Sequence, residues 1–403
     1  MELFWLEHKK LWRKKIVKIC VLLCFVYCVI FGSILSFQWF SFGSSDDYTS
    51  EFGNNFDGYT VIKDSQEYAL SFGGELTDET LQQIVSDYQQ MEADGMEEEL
   101  EKTDWQIVNS WLGTLYPELR DTSNYKTMIS YVDPDKLTGF YERRQQVLDE
   151  FLEVSGQVGA EKEFLHQMER KVEKPFHYEW VEGWSTLLGS TVADLGVVMA
   201  LFLGIVLSSL FAGEWHDNTS TLVLTTRNGW GKIALAKILT GLAFTVELFA
   251  LLAVSSVISQ LFFMGTAGWD MPIQNIKLIA VAPMNMLQAE IYEYAFVLLG
   301  AIGFAGIVMF ISAAVKNNVL TLLLSLAVVY GPMMIAEYLP YGMQKALDLI
   351  PLVGSSTDIF RTNTFRIWGK LIWSPYLLIT IPVLIGILCM PFAIKSWSRR
   401  MKA

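Results

Sequence analysis

Six stretches of this chain are long and apolar enough to dictate the fold: residues 16–40, 187–212, 233–263, 295–315, 319–336 and 371–394. A bilayer core about 30 Å thick is crossed by ~20 apolar residues in a helix, and each stretch is close to that length or exceeds it. Composition points the same way, with 52% hydrophobic and 13% aromatic residues and a positive mean hydropathy. Such values lie outside the range of ordinary soluble domains. The expected fold class is an all-α polytopic membrane protein with six transmembrane helices.

Charges inside these stretches are few. Lys18 lies one turn into the first span, where it can snorkel to the headgroups. Asp194 interrupts the second span; Lys237 lies near the start of the third and Glu247 in its middle. The fourth, fifth and sixth carry no charge, and Pro375, Pro382 and Pro391 are expected to kink the sixth. The first stretch is too long for a cleaved signal peptide, lacks a small-x-small site, and has Leu23 where a lipoprotein signal needs a small residue before Cys24. It is read as an uncleaved anchor.

Lysines and arginines flanking the spans set the orientation. Residues 1–15 carry Lys9, Lys10, Arg13, Lys14 and Lys15, and the 395–403 tail carries Lys395, Arg399, Arg400 and Lys402. Arg227 and Lys232 lie between spans two and three, and Lys316 between four and five. Six spans with both termini cytoplasmic satisfy all of these, in a plasma membrane. Lys345, Arg361, Arg366 and Lys370 in the 339–370 loop argue the other way and are outnumbered.

The acidic residues are concentrated. Residues 41–185 hold 31 of the 43 Asp and Glu against 11 of the 30 Lys and Arg, a net of −20. This is read as a soluble, mostly helical extracellular domain between the first and second spans, unsuited to nucleic acid or anionic lipid. Thr77 caps a first helix carrying Leu81, Ile84, Val85, Tyr88 and Met91 on one face. Trp105, Val108, Trp111, Leu112 and Leu115 mark a second, and Asp133-Pro134 is expected to open a third, running through Leu148 and Phe151. Residues 59–72 suggest a short hairpin, and 264–294 an outer loop.

Catalytic patterns are missing. His8, His166, His177 and His216 lie outside the spans and form no metal-binding pair. Cys20, Cys24, Cys28 and Cys389 all lie in spans, so no disulfide framework is expected outside. The first three share a helix face and read as a soft packing stripe. Asp194 and Glu247 remain as candidate intramembrane polar sites, because buried acids in spans are costly. "RNGWGK" (227–232) resembles the end of a phosphate-binding loop, but Thr226 replaces its first glycine and Ile233 the Mg²⁺-binding hydroxyl. The chain is therefore read as a non-enzyme with no metal or cofactor of its own.

Residues 213–232 form a basic elbow between spans two and three. Asp217 or Asn218 can cap a short helix carrying Leu222, Val223 and Thr226, which Asn228-Gly229 can end. Glu214, the Thr219–Thr221 stretch with Leu222 and Leu224, Arg227, Gly229 and Lys232 together resemble the coupling segment of ABC-2 type ABC transporter permeases. Trp230 departs from that pattern. The resemblance covers the six-span plan and residues 176–403.

It implies an exporter subunit without a nucleotide site. ATP and Mg²⁺ would be bound by a separate ABC ATPase subunit docked on that elbow. A second permease copy or a sibling would complete a dimer in membrane lipid. Residues 339–370 would be an extracellular hairpin, and the cargo a lipid, a hydrophobic drug or an amphipathic peptide. The alternative is a non-transporting sensor whose outer domain binds a peptide or wall component.

Overall fold

The computed structural model describes residues 2–30, 66–67, 73–95, 105–121, 127–188, 192–217, 219, 231–354 and 359–399. Two amino-terminal helices come first, α1 (Glu2–Arg13) and α2 (Lys15–Val29). A folded segment follows: β1 (Gly74–Leu76), α3 (Asp78–Ala93), α4 (Trp105–Leu115), α5 (Phe140–Val154), α6 (Ala160–Glu169), β2 (Phe176–Tyr178) and the short α7 (Glu182–Thr186). The bundle then runs through α8 (Val192–His216), α9 (Gly231–Met264), α10 (Met286–Val315) and α11 (Asn318–Ile335). A short α12 (Tyr341–Leu347), the hairpin β3 (Thr364–Ile367) and β4 (Lys370–Trp373), and α13 (Ser374–Arg399) complete the chain.

Five of these helices, α8 to α11 and α13, are long and apolar enough to cross a membrane. The expected first span is described only up to Ile30, as α2. Helix α10 is the centre of the bundle, packing on α8, α9, α11 and α13. Its contact with α13 is a glycine crossing. A Cβ on Gly306 would stand 2.5 Å from the Gly386 carbonyl oxygen, and one on Gly303 would meet the Pro382 carbonyl. Small residues let two backbones approach closely where lipid gives no hydrophobic drive for association. On the α8 side, Ser312 reaches into the neighbouring helix: its hydroxyl donates to the Ser208 carbonyl at 2.7 Å and accepts from the Phe211 and Ala212 amides.

Several boundaries move from their expected places. Helix α10 starts at Met286, nine residues before 295, because Asn285 and Gln288 form a reciprocal capping box. Glu290 and Glu293, which lower the hydropathy there, therefore stand in a helix and not in a loop. The second span shifts toward its carboxyl end and takes in Glu214. The hairpin β3–β4 takes residues 371–373 from the last span, which starts at Ser374.

The segment before α8 is helical as expected, with two additions. Thr77 caps α3, accepting from the Thr80 amide at 3.2 Å, and Leu81, Ile84, Val85 and Tyr88 are buried. The third helix does not run on from Asp133-Pro134. That stretch makes a single 3₁₀ turn, and Gly139, at a φ of +72°, resets the chain before α5 begins at Phe140. Asp78 of α3 caps the new start, accepting from the Gly139 and Phe140 amides at 2.6 and 2.9 Å. The additions are α6 and the antiparallel pair β1–β2, Glu75 opposite His177. The hairpin expected over 59–72 lies outside the described residues, except for Gln66 and Glu67.

This segment does not close its core alone. Residues 271–285, between α9 and α10, and the first turn of α10 bury Met271, Ile273, Val281 and Met286 in the same cluster as Trp111, Phe140 and Phe176. Each fully buried side chain of this size contributes about 1.5–3 kcal/mol. Trp111 Nε1 donates to the Asn275 carbonyl at 2.9 Å, and Trp180 Nε1 to the carbonyl of Met264, the last residue of α9. Arg144, fully buried, donates to the Leu278 and Ala280 carbonyls at 2.8 and 3.2 Å and to Glu169 at 2.6 Å. The segment from β1 to α7 is thus keyed to the ends of α9 and α10.

Burial alone would push the Glu169 carboxyl up, but Lys174 and Arg144, each 2.6 Å away, outweigh it and hold it below its usual value. A depressed carboxylate contributes stability above its unfolded value, lost as pH falls through the folded one. Thermal unfolding followed by circular dichroism should therefore show stability falling in acid, below about pH 4.5. E169Q should be about 3–5 kcal/mol less stable at neutral pH, because it leaves Arg144 without its counter-charge. A neutral-pH loss under 1 kcal/mol would refute the ion pair's role as the key.

Candidate functional site

Helix α1 places acidic, basic and aromatic residues on successive turns, and this pattern builds the site. Leu11 is buried against the bundle, whereas Trp5 and Leu6 are more than 60% exposed. The helix lies on α9, and its ionic face reaches the last turn of α8. There Glu214, 3% exposed, accepts from Lys10 Nζ at 2.6 Å and from Lys237 Nζ of α9 at 2.9 Å. The Thr219 hydroxyl donates to its other oxygen. Lys237, 2% exposed, donates in turn to Glu7 at 2.8 Å. One carboxylate therefore joins three helices.

Around it lies a small cleft lined by Glu7, Lys10, Lys14, Glu214, Asp217 and Lys237 together with apolar side chains. Three acids face three bases, so the cluster is electrically balanced. That balance is what allows charges to be buried: an unpaired ion at this depth costs several kcal/mol, and a pair with good geometry recovers it. Burial would lower Lys10, but the hydrogen bond and charge of Glu214 outweigh it and raise its pKa above the ordinary lysine value. Lys14 has no such partner. Burial, followed by the neighbouring charges of Lys237 and Lys10, lowers it, and it donates to the Ser209 hydroxyl at 2.9 Å.

About 15 Å further along α9 stands Glu247. Its carboxylate is 3.2 Å from His8 Nε2 and accepts from Trp12 Nε1 at 3.0 Å. Trp12 also packs edge-on against Phe244, with ring centroids 5.7 Å apart. The mid-span acid is thus tethered to α1. The same end of the bundle carries a basic-aromatic cluster: Lys316, the left-handed residue that ends α10, lies 4.2 Å over the Trp215 ring, and Trp215 packs on Trp397 of α13.

Of the residues singled out in the sequence, Glu214 and Glu247 both enter contacts with α1. Lys232 is exposed in the first turn of α9. Leu222, Leu224, Arg227 and Gly229 lie outside the described residues, and so does the Asp194 side chain. Sequence reasoning missed Glu7, His8, Lys10 and Trp12 as partners, because it read residues 1–15 only as a basic flank. The amphipathic spacing of "ELFWLEHKKLWR" was the available signal. Also missed were Glu290, Glu293 and Gln260 at the opposite end of α9 and α10. Cys20 and Cys24 are buried between α2 and its neighbours, and Cys389 is half-buried in α13. Among the described residues, no group of three His, Cys, Asp or Glu is placed to hold a metal.

No protein-family model, characterised protein or solved structure matches this chain.

The arrangement makes a mechanical prediction. In a double-mutant cycle on the detergent-purified protein, E214Q and K237Q should each lower the midpoint of thermal unfolding. Together they should cost less than the sum of the two, by about 0.5–3 kcal/mol. Strictly additive losses would mean that the two side chains do not stabilise one another.

Proposed function

We propose that the chain is the membrane-spanning subunit of an ATP-binding cassette exporter, driven by a separate ATPase subunit and working with a second copy or a sibling chain. One observation carries the reading. Glu214 closes α8, Lys237 lies two turns into α9, and the sequence between them is the 213–232 elbow that resembles a coupling segment. An ATPase pressing on that elbow would act at the point where one buried carboxylate holds α8, α9 and α1 together. A push would then move three helices as a unit, which transmission across a bilayer requires.

In this reading the α1 end faces the cytoplasm of a plasma-membrane protein, in keeping with the lysines and arginines there. The acidic domain and the 339–370 hairpin face outward. The cargo is a lipid, a hydrophobic drug or an amphipathic peptide, moved along largely apolar helix faces by alternating access.

A second reading is favoured by the hydrogen bonds that key the outer segment to the ends of α9 and α10. The protein would then be a sensor, passing an extracellular binding event through the bundle without moving cargo.

The two separate in one experiment. Purified in mild detergent, the chain should bring down an ATP-binding cassette subunit. The reconstituted complex should show ATP-dependent movement of a fluorescent lipid or amphipathic peptide. E214Q and R227A should cut transport at least tenfold while leaving membrane insertion and partner ATP hydrolysis in place. Wild-type transport in both variants, or ATP hydrolysis by the purified chain alone, would sink the coupling idea. Partner capture with no transport of any cargo would favour the sensor.

A further inference from the structure

Among the described residues, no base answers two acids in the first turns of α10. Glu290 is 4% exposed and Glu293 0%; the Tyr294 hydroxyl lies near Glu290, but no carboxylate oxygen of either acid has a partner in good hydrogen-bond geometry among these residues. The positive end of the helix dipole does not account for them, since its effect fades within the first turn. Both lie beyond that turn, which the Asn285–Gln288 capping box already satisfies.

A third unsatisfied group stands at the same level on another helix. Gln260 of α9 is fully buried, and neither its amide nitrogen nor its amide oxygen has a partner. Helices α9 and α10 run antiparallel, and the Ser256 and Tyr294 hydroxyls, 2.9 Å apart, fix their register. One turn outward from that bond, Gln260 on α9 and Glu290 on α10 meet at the same level. Glu293, at i+3 from Glu290, shares its helix face. Two carboxylates, a carboxamide and two hydroxyls thus converge at the end of the bundle nearest the segment from β1 to α7.

Buried polar groups are almost always satisfied. Three that the register gathers at one level, with no hydrogen bond between them, therefore call for a ligand. A carboxyl pair sharing one proton is joined by a hydrogen bond, and none joins Glu290 to Glu293 or to Gln260. Oxygen atoms around a metal ion behave otherwise: at 2.3–2.6 Å from the ion, neighbouring ligands stand about 3.3 Å or more apart, side by side without bonding. The donors here are all oxygens, which selects a hard cation. The two carboxylates match a divalent charge, and fixed donors on two helices suit the adaptable Ca²⁺ shell better than the strict octahedron of Mg²⁺. We propose that Glu290, Glu293 and Gln260, with the Tyr294 and Ser256 hydroxyls beside them, form a Ca²⁺-class cation site that pins α9 to α10. The site stands on burial and helix register and is independent of any transport role.

The test uses the full-length protein purified in EGTA and then titrated with Ca²⁺, Mg²⁺ or Na⁺. Equilibrium binding of ⁴⁵Ca²⁺ should reveal one saturable site per chain with a dissociation constant of about 1 mM or tighter. It should be distinct from the weak, non-saturating uptake expected of the acidic domain. E290Q/E293Q should abolish that site, and Q260L should weaken it at least tenfold. Wild-type protein should melt at least ~3 °C higher in millimolar Ca²⁺ than in EGTA, with little response to Na⁺. The double variant should lose that response yet melt in EGTA no lower than wild type, because glutamine removes the uncompensated carboxylates. Identical Ca²⁺ binding by wild type and double variant would overturn the proposal. So would a wild-type melting temperature indifferent to Ca²⁺, a result that needs no variant to fold.

Discussion

The Glu214 carboxylate governs the α1 end of this protein. A buried carboxylate is expensive to desolvate, and here the cost is offset by two ammonium groups from two different helices, both within 2.9 Å. Lys10 is half exposed, whereas Lys237 is buried and held in turn by Glu7. The charge requirement therefore decides the packing: α1 has to lie on α9 and reach the last turn of α8, because that is where its own acid and base find partners. Once it lies there, His8 and Trp12 come within reach of Glu247, and an acid that would otherwise face lipid acquires two hydrogen-bonding partners.

What could be read in the sequence follows from how local each signal is. Hydropathy runs identify candidate spans because each such helix would meet lipid on its own account, and five helices long and apolar enough to cross a membrane stand where the runs lie. The apolar faces of α3 and α4 were legible for the same reason, as was the Thr77 cap. Signals failed where a long-range partner decides. Gly139 ends the turn after Pro134 because Asp78, 61 residues earlier, caps the next helix. The start of α10 was hidden because Glu290 and Glu293 read as loop-like charges, and the capping box at Asn285 was not given its weight against them. Glu214 could be picked out as an acid at a helix end, but nothing local says that Lys237 and Lys10 will both find it. The segment from β1 to α7 looked self-sufficient in sequence; in space, it borrows the 271–285 loop and the start of α10 for its core.

The two polar clusters of the bundle are mounted on the same pair of elements and treat charge in opposite ways. Lys237 and Gln260 stand about 35 Å apart on the single helix α9. At the α1 end, three acids meet three bases and the cluster is complete within the chain. At the other end, two acids and an amide are packed away with no base among the described residues to answer them. Natural cores seldom keep such groups without a return, since apolar residues of similar volume are often neutral or stabilising in their place. The asymmetry gives α9 one end closed by side chains and one end whose satisfaction depends on something brought from solution. In the transport reading proposed above, the closed end is where force enters. The open end lies beside the segment from β1 to α7, whose core is keyed to the same two helices through Trp180 and Arg144. A rod fixed at one end and conditionally pinned at the other can carry a displacement or resist it, according to whether the pin is in place.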